Sequence, residues 1–84
     1  MIVIINIRFK TNKENGIILY SRGSQGDYLS LQLAENRLLL NVNLGGSRDI
    51  SIMLGSLLDD NIFHDVEISR FVAMRSTFLL LRKR

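Results

Sequence analysis

Apolar and polar side chains alternate with a period of two along most of the chain, as in extended strands that bury one face. Over 27–33, Leu29, Leu31 and Leu33 share one face, and Tyr28, Ser30 and Gln32 share the other. Leu38, Leu40, Val42 and Leu44 alternate with Leu39, Asn41 and Asn43, and only Leu39 interrupts the polar face. Ile5, Ile7 and Phe9 alternate with Ile4, Asn6, Arg8 and Lys10, while His64, Glu67 and Ser69 flank Val66 and Ile68. Each run is rich in branched or aromatic residues, as strands are. Polar turn chemistry separates them: 11–16 ends in Asn-Gly, 21–26 carries two glycines, and Ala34-Glu35-Asn36-Arg37 fits a tight hairpin in which Asn36 takes a positive φ. Gly45-Gly46-Ser47 and 58–61 close the later strands. Turns recurring every ~8–12 residues predict an antiparallel all-β meander. No stripe of helical period crosses residues 1–70, and there is no internal repeat.

Residues 71–84 break the pattern. They are apolar from Phe71 to Leu81 without clear alternation, which fits either a last strand over 77–81 or a short helix. They also hold Arg75, Arg82, Lys83 and Arg84 and no acid, whereas residues 1–70 set seven bases against eight acids. The net charge of +3 therefore belongs to the tail, and the body is slightly acidic. A nucleic-acid reader carries its positive charge as a patch on the folded body. Here no basic stripe accompanies the aromatics, and Phe9 and Phe63 sit in apolar, core-like contexts, so nucleic acid is not an expected partner.

With 84 residues the chain holds one small domain, and its 46% hydrophobic and 23% charged content is globular. The absence of cysteine excludes disulfides, cysteine-ligated zinc and a cysteine nucleophile, and the single histidine excludes a multi-histidine metal cage. No run approaches the ~18 apolar residues of a spanning helix. The apolar 1–5 segment is shorter than the ~7–15-residue core of a secretion signal, so no export signal is expected in the chain as written.

Three stretches, in order, resemble laminin G-like (LNS) domains. Phe9-Lys10-Thr11 followed by Gly16-Ile17-Ile18-Leu19-Tyr20 is similar to the family's opening strands. Residues 26–33 with 38–45 look like its central hairpin, and 55–70 resembles its "L-D-D-x-x-W-H-x-V-x-I-x-R" segment. The Gly-Ser-Leu-Leu-Asp-Asp phrase is similar to the neurexin and contactin-associated branch of cell-junction proteins. The resemblance implies an antiparallel β-sandwich of the concanavalin-like jelly-roll type. It covers residues 7–70, the N-terminal part of a longer domain, so the expectation is an incomplete domain over 1–70 followed by an atypical basic apolar tail over 71–84. Phe63 stands where the family has tryptophan and is expected to remain an aromatic core plug.

The resemblance also implies a calcium position. Asp27 follows Gly26 at the mouth of a strand, where a carboxylate reaches a sheet rim, and neurexin-type relatives bind calcium through an aspartate at the matching position. The matching carbonyl comes from around Leu44. Calcium takes ~6–8 oxygens, so one carboxylate and one carbonyl leave most positions to water. The candidate ligand-binding rim around it is Ser24, Gln25, Gly45, Gly46 and Ser47, flanked by Arg22 and Arg48. Other chemistry is excluded by pattern. Asp59, Asp60, Asn61 and Asp65 lack the alternation and closing glutamate of an EF-hand and read as a solvated turn. His64 has no nucleophile elbow to serve and reads as a structural histidine bonded to a turn carbonyl. Gly45-Gly46-Ser47 lacks the P-loop lysine, and Arg82-Lys83-Arg84 reads as a solvated terminus.

The expected function is that of a non-catalytic extracellular recognition or cell-adhesion module. Its implied ligands are cell-surface or matrix proteins and sulfated glycans, met at a rim organised by calcium. The alternative is a structural fragment without activity of its own, self-associating through exposed strand edges. Extracellular localisation follows from the resemblance alone, since the chain has no Asn-x-Ser/Thr sequon and no cysteine.

Overall fold

The structure, a computed structural model, describes residues 2–24, 26–44, 49–73 and 76–83. Among the described residues seven strands follow one another: β1 (Ile2–Phe9), β2 (Gly16–Arg22), β3 (Tyr28–Ala34), β4 (Arg37–Asn43), β5 (Ile50–Leu54), β6 (His64–Ala73) and β7 (Ser76–Lys83). Among the described residues there is no helix. Two antiparallel sheets form, β1-β6-β7 and β2-β3-β4-β5. The predicted meander therefore holds only from β2 to β5. β1 pairs with β6, with Phe9 opposite His64 and Val3 opposite Arg70, so the chain changes sheet after β1 and again after β5. β5 is a strand the alternation analysis did not identify, although Ile50, Ile52 and Leu54 carry its period. The open choice over the tail resolves as strand: β7 pairs with β6 along its length, with Leu81 opposite Ile68.

The two inner faces meet in one core. Leu31 and Leu33 from β3, and Leu38, Leu40 and Val42 from β4, pack against Val66 and Ile68 from β6 and Leu81 from β7. Leu58, in the connection between β5 and β6, closes the cluster. Each large side chain withdrawn from water in this way contributes about 1.5–3 kcal/mol. The β3–β4 turn has φ of 51° at Glu35 and 60° at Asn36, the two left-handed residues of a type I′ hairpin, which matches strand twist. A register shift in β2 sits between Ile17, opposite Gln32, and Leu19, opposite Leu31. Ile18 is the extra residue of this bulge. It turns Ile17 to solvent and Leu19 toward the core, two positions that strict alternation would place on one face.

Candidate functional site

The ends of the sandwich differ in construction. At one end three loops converge on Asn36. Its backbone N–H donates to the Glu14 carbonyl at 2.9 Å, and its own carbonyl accepts from Leu58 N–H at 3.0 Å. Its side-chain Oδ1 accepts from Leu57 N–H at 3.1 Å. Asn15 Oδ1 accepts from Glu35 N–H, and the Thr11 carbonyl accepts from Asn61 N–H. His64 is buried on the inner face against the Phe9 ring. Its Nε2 lies 2.8 Å from Asp60 Oδ1, and because an ionised carboxylate only accepts, that nitrogen carries the proton. The histidine's partner is thus a side-chain carboxylate and not the expected turn carbonyl. This bond, joined by one from Ile62 N–H, holds the Asp60 carboxyl below its ordinary pKa, His64 being the larger cause. The acidic turn is a clasp on this loop. Asp65 points outward and pairs with Arg8 at 3.5 Å.

Phe63 corrects a second expectation. It is 55% exposed, with the Arg8 guanidinium 4.6 Å and the Lys10 ammonium 5.3 Å from its ring centre. As the residue just before β6, it lies outside the sandwich while its neighbour His64 points in. The ring serves as a platform for two cations.

The opposite end carries the residues that the resemblance implicates. Between β2 and β3, Gly23 N–H donates to the Asp27 carbonyl at 2.9 Å. Gly26, at φ 81°, supplies the left-handed residue. The Asp27 carboxylate folds back over Gly23 so closely that a Cβ on Gly23 would collide with it. Gly23 therefore positions Asp27, a role that reading 21–26 as a generic loop did not reveal. Asp27 and Leu44 line the same cleft, as do Tyr28 and Asn43, which face each other across β3 and β4. Asp49 joins Asn43 and Tyr28 at this end: its Oδ1 accepts from Asn43 Nδ2 at 2.9 Å, and the carboxylate accepts the Tyr28 hydroxyl. Partial burial first, and then Asp49, raise the Tyr28 pKa above its ordinary value, with a smaller contribution from Tyr20. Ser24 is exposed in the turn, and Arg22 is exposed at the end of β2. Gln25, Gly45, Gly46, Ser47 and Arg48, the rest of the expected rim, lie outside the described residues.

The cleft runs inward between the sheets, with a volume of about 450 Å³. Its walls are mainly apolar: Val3, Ile5, Leu19, Leu29, Val42 and Leu79 among them. Arg70 lines it too, and its buried Nε has no hydrogen-bond partner. A buried donor left unmade costs about 1–3 kcal/mol. Arg70 was legible as inward-facing, since it continues the His64, Val66, Ile68 series on β6.

Two donor types that calcium prefers occur among the residues lining the cleft, the carboxylate of Asp27 and the backbone carbonyl of Leu44. Among the described residues no three acidic or histidine side chains converge as a metal cage.

Comparison with known proteins identifies the architecture. A sequence model described as the Laminin G domain matches residues 9–81. The chain belongs to the laminin G domain family. Neurexin-4 of Drosophila melanogaster is 56% identical over 66 residues, which span 79% of this chain and 5% of that protein. Contactin-associated protein 1 of Mus musculus is 38% identical over 69 residues, spanning 75% of this chain and 5% of that protein. The chain thus corresponds to about a twentieth of these relatives. The solved structure of mouse laminin alpha1 chain domains LG4-5 superimposes with a TM-score of 0.75 at 26% identity, covering 95% of this chain and 21% of that one. The two-sheet arrangement is therefore a laminin G jelly-roll sandwich, and the family match extends past Arg70 into β7.

Proposed function

We propose that this laminin G domain chain is a non-catalytic extracellular adhesion module that meets cell-surface or matrix proteins at the Asp27 end of the sandwich. One observation carries the reading: Asp27 and Leu44, distant in sequence, line one cleft at a loop-bearing end. Loops carried on a strand scaffold are where β-sandwiches place binding residues. Membership of the family that includes neurexin-4 and contactin-associated protein 1 supports the adhesive role. Calcium organises the rim, held by the Asp27 carboxylate, the Leu44 carbonyl and water. It supplies a positive centre to which an acidic group of a partner is drawn. Sulfated glycans are secondary ligands, because Arg22 is the only described basic side chain of the expected rim.

Calcium titration followed by amide NMR shifts tests this. The expected dissociation constant is in the ~10⁻⁴–10⁻³ M range of extracellular calcium modules. Shifts are expected at 23–28 and at Leu44, to be lost in Asp27→Ala and weakened in Gly23→Ala. A titration that Asp27→Ala leaves unchanged overturns the calcium reading.

A second reading rests on the strand order. β1, β7, β2 and β5 are all outermost strands, and Ile50 and Met53 on β5 are exposed. Unpaired edges of this kind favour association of copies. Sedimentation at rising concentration separates a constant monomer from such assembly.

A further inference from the structure

We propose that the intersheet cleft at the Asp27 end binds a free straight-chain carboxylate, with its head on the Arg70 guanidinium and its tail between the sheets. The inference starts from layers of side chains. Strand register stacks the inner face of the three-stranded sheet as Phe9–His64, then Ile7–Val66, then Ile5–Ile68–Leu81, then Val3–Arg70–Leu79. The facing sheet stacks Gly16–Leu33–Leu38–Leu54, then Leu19–Leu31–Leu40–Ile52, then Ser21–Leu29–Val42–Ile50. Leucines fill the first two of these layers. Ser21, Leu29 and Val42 from the third, and Val3, Arg70 and Leu79 from the last layer of the other sheet, line the open cleft, with Ser21 and the two valines the shortest side chains among them.

An arginine in that layer has a specific consequence. Its neighbours across the strands are Val3 and Leu79, neither of which accepts a hydrogen bond through its side chain. Among the described residues Arg70 forms no ion pair, and its Nε is buried without a partner. Guanidinium matches carboxylate geometry in a two-pronged way. The occupant that satisfies both features is an anion with an apolar body. The cleft volume falls within the ~300–1,000 Å³ of small-molecule sites, whose pattern of apolar walls with few polar groups it shares. Asp27 lines the same cleft, but its carboxylate is folded over Gly23. An anionic head therefore belongs at Arg70 and not at the Asp27 side.

The test uses the whole chain without calcium and compares octanoate, octan-1-ol and octylammonium, each as a dilute monomer, by amide and methyl NMR shifts. Octanoate is expected to bind at least about tenfold more tightly than the alcohol, a ratio equivalent to ~1.4 kcal/mol. Octylammonium is expected to bind most weakly, with shifts centred on Val3, Leu29, Leu44 and Ile68. Arg70→Met should abolish the advantage of octanoate while leaving octanol binding in place. Arg70→Lys, which keeps the charge but lacks the fork, should retain part of it. Because calcium is left out of every arm, failure of the calcium reading leaves this one standing. Equal affinities for the three probes overturn the proposal, as do shifts outside the cleft or an octanoate preference that survives Arg70→Met. If Arg70→Met fails to fold, the wild-type ranking and Arg70→Lys decide.

Discussion

The two ends of this sandwich are built from the same strands and solve different problems. At the Asn36 end, hydrogen bonds from three loops meet on one turn, Leu58 seals the core, and His64 clasps Asp60. At the Asp27 end a cleft stays open between the sheets, and an arginine lines it with an unpartnered donor. One end has traded openness for satisfied bonds and dense packing. The other leaves both unfinished, which is the condition for taking something in. The contrast separates the well-bonded end from the end where binding is proposed, along the strand axis.

The sharpest way to break this comparison is to remove the same group from each end. Leu58 is 3% exposed and packs into a closed core, so Leu58→Ala should lower unfolding stability by about 2–5 kcal/mol, the cost of transfer plus a new cavity. Leu44 is half-buried beside space that already exists. Its truncation loses only part of the transfer energy, about 1 kcal/mol. Urea unfolding of both variants measures the ratio. Equal losses would mean that the ends are equally packed and that the cleft is no weaker than the core.

Asn36→Ala comes next. It deletes the acceptor of Leu57 N–H and forces an ordinary residue to hold φ at 60°. Together these should cost about 1–3 kcal/mol. Asn36→Gly keeps the left-handed freedom and loses only the side-chain bond, so it should recover part of the loss. If alanine and glycine destabilise equally by chemical denaturation, the hydrogen bond and not the backbone geometry fastens this end.

What the chain revealed in advance follows from the range of each interaction. Strands β3 and β4 and their hairpin were legible because alternation and the Glu35-Asn36 turn are encoded within a few residues. The division into sheets was not, because pairing Phe9 with His64 depends on groups far apart in sequence. β5 was missed because its apolar residues also fill outward positions such as Met53, which blurs the period. Phe63 misled for a related reason. Aromatic composition suggests a core, and only the cross-strand approach of Arg8 and Lys10 reveals a solvent-facing ring. At the Asp27 end, Asp27 and Leu44 emerged through resemblance to a family. Arg70 lay within reach of simple alternation, and Gly23 did not, because its importance is the closeness of one carboxylate.

The finest discrimination between the ends is their response to pH. At the closed end the Asp60 carboxyl titrates below its ordinary value because His64 bonds the ionised form. A lowered native pKa contributes stability above the unfolded value, about 3.9, which is lost as pH falls through the native one. Asp60→Asn should therefore flatten the acid limb of melting temperature against pH. At the open end the Tyr28 phenol is raised, first by partial burial and then by Asp49. A raised native pKa stabilises below the unfolded value, about 10, and that contribution disappears as pH rises through the native one. Tyr28→Phe should flatten the alkaline limb, and Asp49→Asn should bring the Tyr28 midpoint down in a phenolate absorbance titration. The two ends thus fail in opposite directions of pH. If Asp49→Asn leaves the alkaline titration unmoved, the tether between Asp49 and Tyr28 does not hold this end together in solution, and the openness of the cleft extends to its mouth.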